Sequence, residues 1–75
     1  MEDVEVNLPI RLGQFVKYAS LAGSGAEAAE LVRAGEIVVN GVVETRRGHR
    51  LSDGVVAMDL PNGRRIEVRV VAAEG

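Results

Sequence analysis

The 75-residue chain contains no cysteine and no tryptophan, and its only aromatic residues are Phe15 and Tyr18. The missing cysteines exclude disulfides, thiolate metal sites and cysteine nucleophiles together, and a small domain without a disulfide fits a reducing compartment. With so few aromatics, the core has to be built from Val, Leu, Ile and Ala. No apolar run approaches the roughly 18–20 residues that span a bilayer as a helix. The opening MEDVEVNLP is acidic, unlike the basic start of a signal peptide. The cytoplasm is the expected location, with no membrane partner.

What remains is the composition of a folded domain: 47% hydrophobic and 27% charged residues. The length predicts a single domain over residues 1–75. A domain of this size buries only roughly 60–65% of its unfolded surface, so every apolar segment must share one core. The formal charge of −2 is unevenly spread. Glu2, Asp3 and Glu5 open the chain without a base. Arg46, Arg47 and Arg50 fall within five residues without an acid, and the only histidine, His49, lies among them. Arg64, Arg65 and Arg69 follow against Glu67. A polyanion responds to a local patch within about 8–10 Å more than to the total charge.

Periodicity orders the chain. Val4, Val6 and Leu8 alternate with polar residues, as in a half-buried strand that Pro9 ends. Leu12, Phe15, Val16 and Ala19 recur at helical spacing and predict a helix at about 11–21, with Arg11, Gln14 and Lys17 facing out. Gly23-Ser24-Gly25 breaks it. Ser24 and Glu27 form a capping-box pair for a second helix at about 24–34, whose inner face is Ala28, Leu31 and Val32 and whose stop is Gly35. Ile37-Val38-Val39, the turn residues Asn40-Gly41 and Val42-Val43 then read as a hairpin. Val55, Val56 and Met58 suggest another strand. After the Pro61-Asn62-Gly63 turn, Ile66, Val68 and Val70 form a last strand with Arg65 and Arg69 outward. Arg64, Arg65 and Arg69 are expected on an edge strand, where charge discourages aggregation. Residues 72–75 read as a frayed tail. Helices followed by clustered strands predict an α+β fold with an antiparallel sheet and Phe15, Val16, Leu31, Val32 and Val39 in the core.

The string Gly35-Glu36-Ile37-Val38-Val39-Asn40-Gly41 resembles the G-x-V-x-V-N-G element of the S-four RNA-binding domain, named after a small-subunit ribosomal protein. Arg11-Leu12 is similar to the Arg-Leu that opens that domain's first helix, and the resemblance covers about residues 10–60. The longer stretch LGQFVKYASLAGSGAEAAELVRAGEIVVNGVVETRRGHRL resembles its stand-alone bacterial members, the YbcJ-like group, in which E-T-R-R-G is part of the pattern. The sequence departs from the broader domain in three places. Gly13 stands where an acid often follows Arg-Leu, Gly25-Ala26-Glu27 stands where a base is common, and Asp53-Gly54 reverses a turn. The resemblance implies an αL fold, two helices packed on a small antiparallel sheet. It also implies a non-catalytic RNA-binding role with structured RNA as partner, ribosomal or transfer RNA first, and association with a ribosomal particle by analogy.

Arginine suits such a task, since its planar fork of five donors matches phosphate oxygens and stays charged near pH 7. Helical RNA hides its base edges, so proteins read its shape, phosphates and 2′-hydroxyls. The candidate RNA-binding residues are Arg11, Lys17, Arg46, Arg47 and Arg50. Arg33, Asn40 and His49 are further candidates, each with a plainer alternative: a helix-dipole partner, a turn former and an exposed surface histidine. Solvated surface is the plain alternative for every residue in the set. Gly23-Ser24-Gly25 has no following Lys-Ser/Thr and is not a P-loop. Glu27 and Glu30 have no histidine or third acid beside them, and Ser24 has no sequence-evident base. Neither a metal site, a cofactor, a small-molecule substrate nor an enzyme active site is expected. Two rivals stay open: a helix-turn-helix DNA binder, against which Glu27 and Glu30 in the reading helix count, and a protein-interaction module working through its sheet. A sulfur-carrier β-grasp domain would open with a hairpin and end in Gly-Gly, which this chain does not.

Overall fold

The computed structural model describes residues 1–73. The elements in order are β1 (Glu2–Val6), β2 (Ile10–Arg11), α1 (Leu12–Tyr18), α2 (Gly25–Arg33), β3 (Ile37–Val39), β4 (Val42–Val43), β5 (Arg50–Leu51), β6 (Gly54–Asp59) and β7 (Arg65–Ala72). Five strands form one sheet in the order β1-β7-β6-β3-β4, and β2 pairs with β5 in a second, two-stranded sheet.

Both helices carry the periodic apolar faces the sequence predicts. Leu12, Phe15 and Val16 of α1 and Ala28 and Val32 of α2 have no exposed surface. α1 is shorter than its periodicity suggests, ending at Tyr18. Ser20 adopts φ 62°, its N–H donates to Lys17 O at 3.0 Å, and the Leu21 N–H donates to Val16 O at 3.0 Å. This is the Schellman ending, here with serine in the left-handed position that glycine usually occupies. α2 ends in the same way with Gly35: the Gly35 N–H donates to Val32 O and the Glu36 N–H to Leu31 O. At its start Ser24 Oγ accepts from the Glu27 N–H at 3.1 Å. The Glu27 carboxylate reaches back one residue further than in the usual box, accepting from the Gly23 N–H at 3.0 Å.

The helices pack on one face of the large sheet. Their buried side chains meet Val6, Ile37, Val56, Met58, Val68 and Val70 in one cluster. Leu31 and Val39, expected at the centre, are only partly buried at its rim, while Ile37 and Val38 are buried. Ile37 and Val39 share the strand face that packs on the core cluster, Val39 at its margin beside the turn, while Val38 is buried on the opposite face.

The α+β class is as expected, and among the described residues every pairing is antiparallel except one. β1 lies parallel to β7, with Val4 beside Val70. The alternation of β1 marks a half-buried strand but carries no information on direction. β7 is also not an edge strand: it runs between β1 and β6. Its outward arginines therefore have neighbours on both sides. Arg65 Nε meets Asp59 Oδ1 at 2.7 Å and Arg69 Nη1 meets Asp3 Oδ1 at 3.7 Å. Ala72 and Ala73, expected in a frayed tail, are tied to the sheet. Ala72 belongs to β7, and the Ala73 N–H donates to Val6 O at 2.8 Å. Glu74 and Gly75 lie outside the described residues.

Candidate nucleic-acid interface

The hairpin between β3 and β4 turns on Asn40 and Gly41, at φ 49° and 85°. Two consecutive positive φ values define the type I′ turn that Asn-Gly favours. Asn40 is also bound to β6. Its N–H donates to Val55 O at 2.9 Å, and its Oδ1 accepts from the Val55 N–H at 2.8 Å. The side chain thus imitates a backbone partner and extends the β3–β6 ladder past the turn.

Beyond β4 the chain enters the loop 44–49, and Glu44 organises it. The Glu44 N–H donates to Ile37 O at 3.0 Å, rooting the loop in the sheet. Its Oε2 accepts from the Arg46 N–H and from Arg46 Nε, both at 3.0 Å, and its Oε1 accepts from Arg46 Nη2 at 3.3 Å. His49 Nδ1 lies 3.3 Å from the same Oε1. The side-chain hydrogen bond from Arg46, then that from its backbone, holds the Glu44 carboxyl down at about 2. The same pairing raises the Arg46 guanidinium above its ordinary range.

The loop then docks on the start of α1. Leu12 and Gly13, the first two helical residues, donate their N–H groups to His49 O at 2.8 Å and Arg47 O at 2.9 Å. Helix N-terminal N–H groups have no partner within the helix, so these carbonyls act as its cap. Gly13 permits the approach: a Cβ there would lie 3.3 Å from the Arg47 Cβ, tighter than ordinary van der Waals contact. Immediately after the loop, β5 pairs with β2 in a register that sets Arg50 opposite Arg11 and Leu51 opposite Ile10.

This docking creates an open groove of about 460 Å³. Arg11, Gln14 and Lys17 form one wall, Arg47 and Gly48 a second, and Gly25 and Ala29 of α2 the floor side; no acid lines it. Among the described residues, Arg11, Lys17, Arg33, Arg47, Arg50 and Arg64 make no ion pair. Arg11 and Arg50 are like charges directly across a ladder, an arrangement that destabilises a sheet.

Of the residues singled out from the sequence, Arg11, Lys17 and Arg47 meet in the groove, and Arg50 adjoins them through Arg11. Arg11 lies in β2 and precedes α1, where the sequence reading had put it on the helix. Arg46 and His49 gather instead around Glu44. Asn40 serves the hairpin, and Arg33 is exposed in the last turn of α2. The sequence reading missed Glu44, Gln14 and the role of Gly13. The signal for Glu44 was present: an acid two residues before an arginine in an otherwise basic loop.

A concave surface with several unpaired cations and no acid suits an anionic polymer. Among the described residues no three His, Cys, Asp or Glu side chains gather to hold a metal, and no helix is long and apolar enough to cross a membrane. A search of curated proteins gives no match to the chain. A scan against family models matches residues 4–69 to the S4 domain, the RNA-binding family whose resemblance was carried by Arg11-Leu12 and residues 35–41. The match spans both helices, the basic loop and most of the large sheet, and the chain belongs to the S4 domain family of RNA-binding domains.

Proposed function

We propose that the chain acts as one non-catalytic domain over residues 1–75 that binds structured RNA, ribosomal or transfer RNA first, with a ribosomal particle as the setting such targets imply. The groove of Arg11, Lys17 and Arg47, with Arg50 beside it, is the contact surface. The observation that carries this reading is the convergence of Arg11, Lys17 and Arg47 from two distant stretches of chain into one acid-free groove, with Arg50 opposite Arg11. Their guanidinium and ammonium groups would meet phosphate oxygens, presented by the frame of α1 and the docked loop. The like-charge pair Arg11 and Arg50 supports it, because a fold gains nothing by placing two cations opposite each other unless an anion joins them.

The test is titration of hairpin RNA and a matched DNA duplex into the protein at several salt concentrations. Contact with three or four phosphates would give log K against log salt a slope of roughly −3 to −4 by duplex scaling. The RNA is expected to bind more tightly. Equal or tighter binding of the duplex DNA would favour the helix-turn-helix reading, and binding of neither would return the arginines to solvated surface.

A further inference from the structure

We propose that Glu44 is a positioning residue of this interface: its carboxylate locks the loop 44–49 so that Arg47 stays over the groove, and RNA binds more tightly because of an acid beside its phosphate site. The proposal rests on the RNA-binding reading above and deepens it.

Simple electrostatics favours the opposite. A carboxylate a few residues from a phosphate contact repels the phosphate, and removing it would raise affinity. The geometry argues that position outweighs this repulsion. The Glu44 side chain is only 14% exposed and binds both ends of the loop, Arg46 at one and His49 Nδ1 at the other. Without it, the one bond left within the loop is that from the His49 N–H to Arg46 O, at 3.1 Å, beside the two backbone bonds that dock it on α1. Arg47 sits between those two points. Its side chain makes no ion pair among the described residues, so backbone alone places it: the bond from the Gly13 N–H to Arg47 O and the close approach at Gly13. Anything that frees the loop frees Arg47. The same geometry divides the two neighbouring arginines. Arg46 turns Nε and Nη2 toward Glu44 and is part of the clamp, while Arg47 is the contact.

Glu44→Gln and Glu44→Asp test this together. The first keeps the length and removes the charge; the second keeps the charge and shortens the reach by one methylene. Hairpin RNA affinity and its salt dependence are measured by anisotropy, and amide hydrogen exchange by NMR. Glu44→Gln is expected to bind RNA at least about threefold more weakly, with the salt slope shallower by about one unit as the Arg47 contact is lost. The Leu12 and Gly13 amides, which donate into the loop, are expected to exchange faster while the Val56 amide in the sheet does not. Glu44→Asp is expected to follow in the same direction, which a purely electrostatic role would not produce. If Glu44→Gln binds RNA as tightly as the wild type or more tightly, the proposal is overturned, whatever its amides do. Unchanged exchange at Leu12 and Gly13 in both variants overturns it without reference to RNA. Failure of the wild type to bind hairpin RNA would sink the functional reading itself, and that is seen before any variant is compared.

Discussion

Replacing Arg47 with Ala removes one of the three cations that line the groove, Arg11, Lys17 and Arg47. A charge-assisted hydrogen bond contributes about 1.5–3 kcal/mol when desolvated and less when water reaches it. The groove is open, so the lower end applies: about 1.4 kcal/mol, a tenfold loss of affinity for structured RNA. One phosphate contact fewer also makes the salt slope shallower by about 0.9. Arg46→Ala removes the same charge from the next residue, but its Nε and Nη2 already face Glu44. It is expected to lose about threefold, by loosening the clamp instead of deleting a contact. Arg64→Ala is the control. Among the described residues Arg64 makes no ion pair, and it lies past Asp59 at the end of β6 away from Gly54, roughly 17 Å along the strand from the β5 end. Its loss should stay under about twofold. Arg65 and Arg69 are poorer controls, since each has a carboxylate partner. The assay is anisotropy with labelled hairpin RNA at several salt concentrations, beside thermal melts that should barely move for Arg47→Ala and Arg64→Ala. Equal losses at Arg46, Arg47 and Arg64 would mean that only total charge matters, and the assignment of the groove would be wrong.

Three further outcomes follow from the same geometry. The Glu44 carboxyl titrates at about 2 in the folded chain, below its unfolded value of about 4.3; its stabilising contribution is therefore full above the unfolded value and is lost as pH falls toward 2, so melts of wild type and Glu44→Gln should converge between about pH 5 and pH 2. Asn40→Ala removes the acceptor of the Val55 N–H from a residue at positive φ and should cost about 1 kcal/mol, lowering Tm by about 4–8 °C in a chain of this size, with RNA affinity per folded molecule little changed. Arg50→Gln relieves the repulsion with Arg11 across the β2–β5 ladder and should raise Tm slightly at low salt while weakening RNA binding; a variant that lost both stability and affinity would show that Arg50 has a structural partner instead.

The helices, the hairpin and the α+β class were legible because each is written locally. Apolar residues at helical spacing, Ser24 with Glu27, Gly35 and Asn40-Gly41 act within a few residues of themselves. What stayed hidden depends on partners distant in sequence. The parallel register of β1 on β7 joins residues more than sixty positions apart, and alternation looks the same in either direction. β2 and β5 are two residues each, too short for any periodicity to show. Yet it is this small ladder that sets Arg11 beside Arg50. The early stop of α1 was hidden because Ser20, not a glycine, takes the left-handed position. At the site, the density of arginines after the hairpin was plain, but not the division among them. Arg46 and Arg47 are identical in composition and adjacent in sequence. Only the reach of Glu44 separates the one that is held from the one that is free.

The sign of the whole chain then ceases to be an objection to an anionic partner. The acids of β1 lie by the C-terminal end of α1, whereas Arg11 and the docked loop with Arg47 lie at its start. Glu2, Asp3 and Glu5 share a surface hollow with Tyr18, Ala19 and Ser20, whereas the basic groove is built around Arg11, Gly13, Gln14 and Lys17. α1 has seven residues and is therefore about 10 Å long, just over one Debye length at physiological salt, which is about 8 Å. Across that distance the acids are largely screened from a phosphate held by Arg11 and Arg47, which act at contact range, while Lys17 sits nearer the acidic end. Asp3 is further offset by Arg69. The segregation also gives the molecule a direction. A polyanion approaching the β1 edge meets Glu2 and Glu5 and is repelled, whereas one approaching the groove meets Arg11, Lys17 and Arg47. Complementary fields of this kind act more on encounter rate and orientation than on final affinity. Neutralising the β1 acids should therefore speed non-productive encounters at low salt and leave the affinity at physiological salt nearly unchanged.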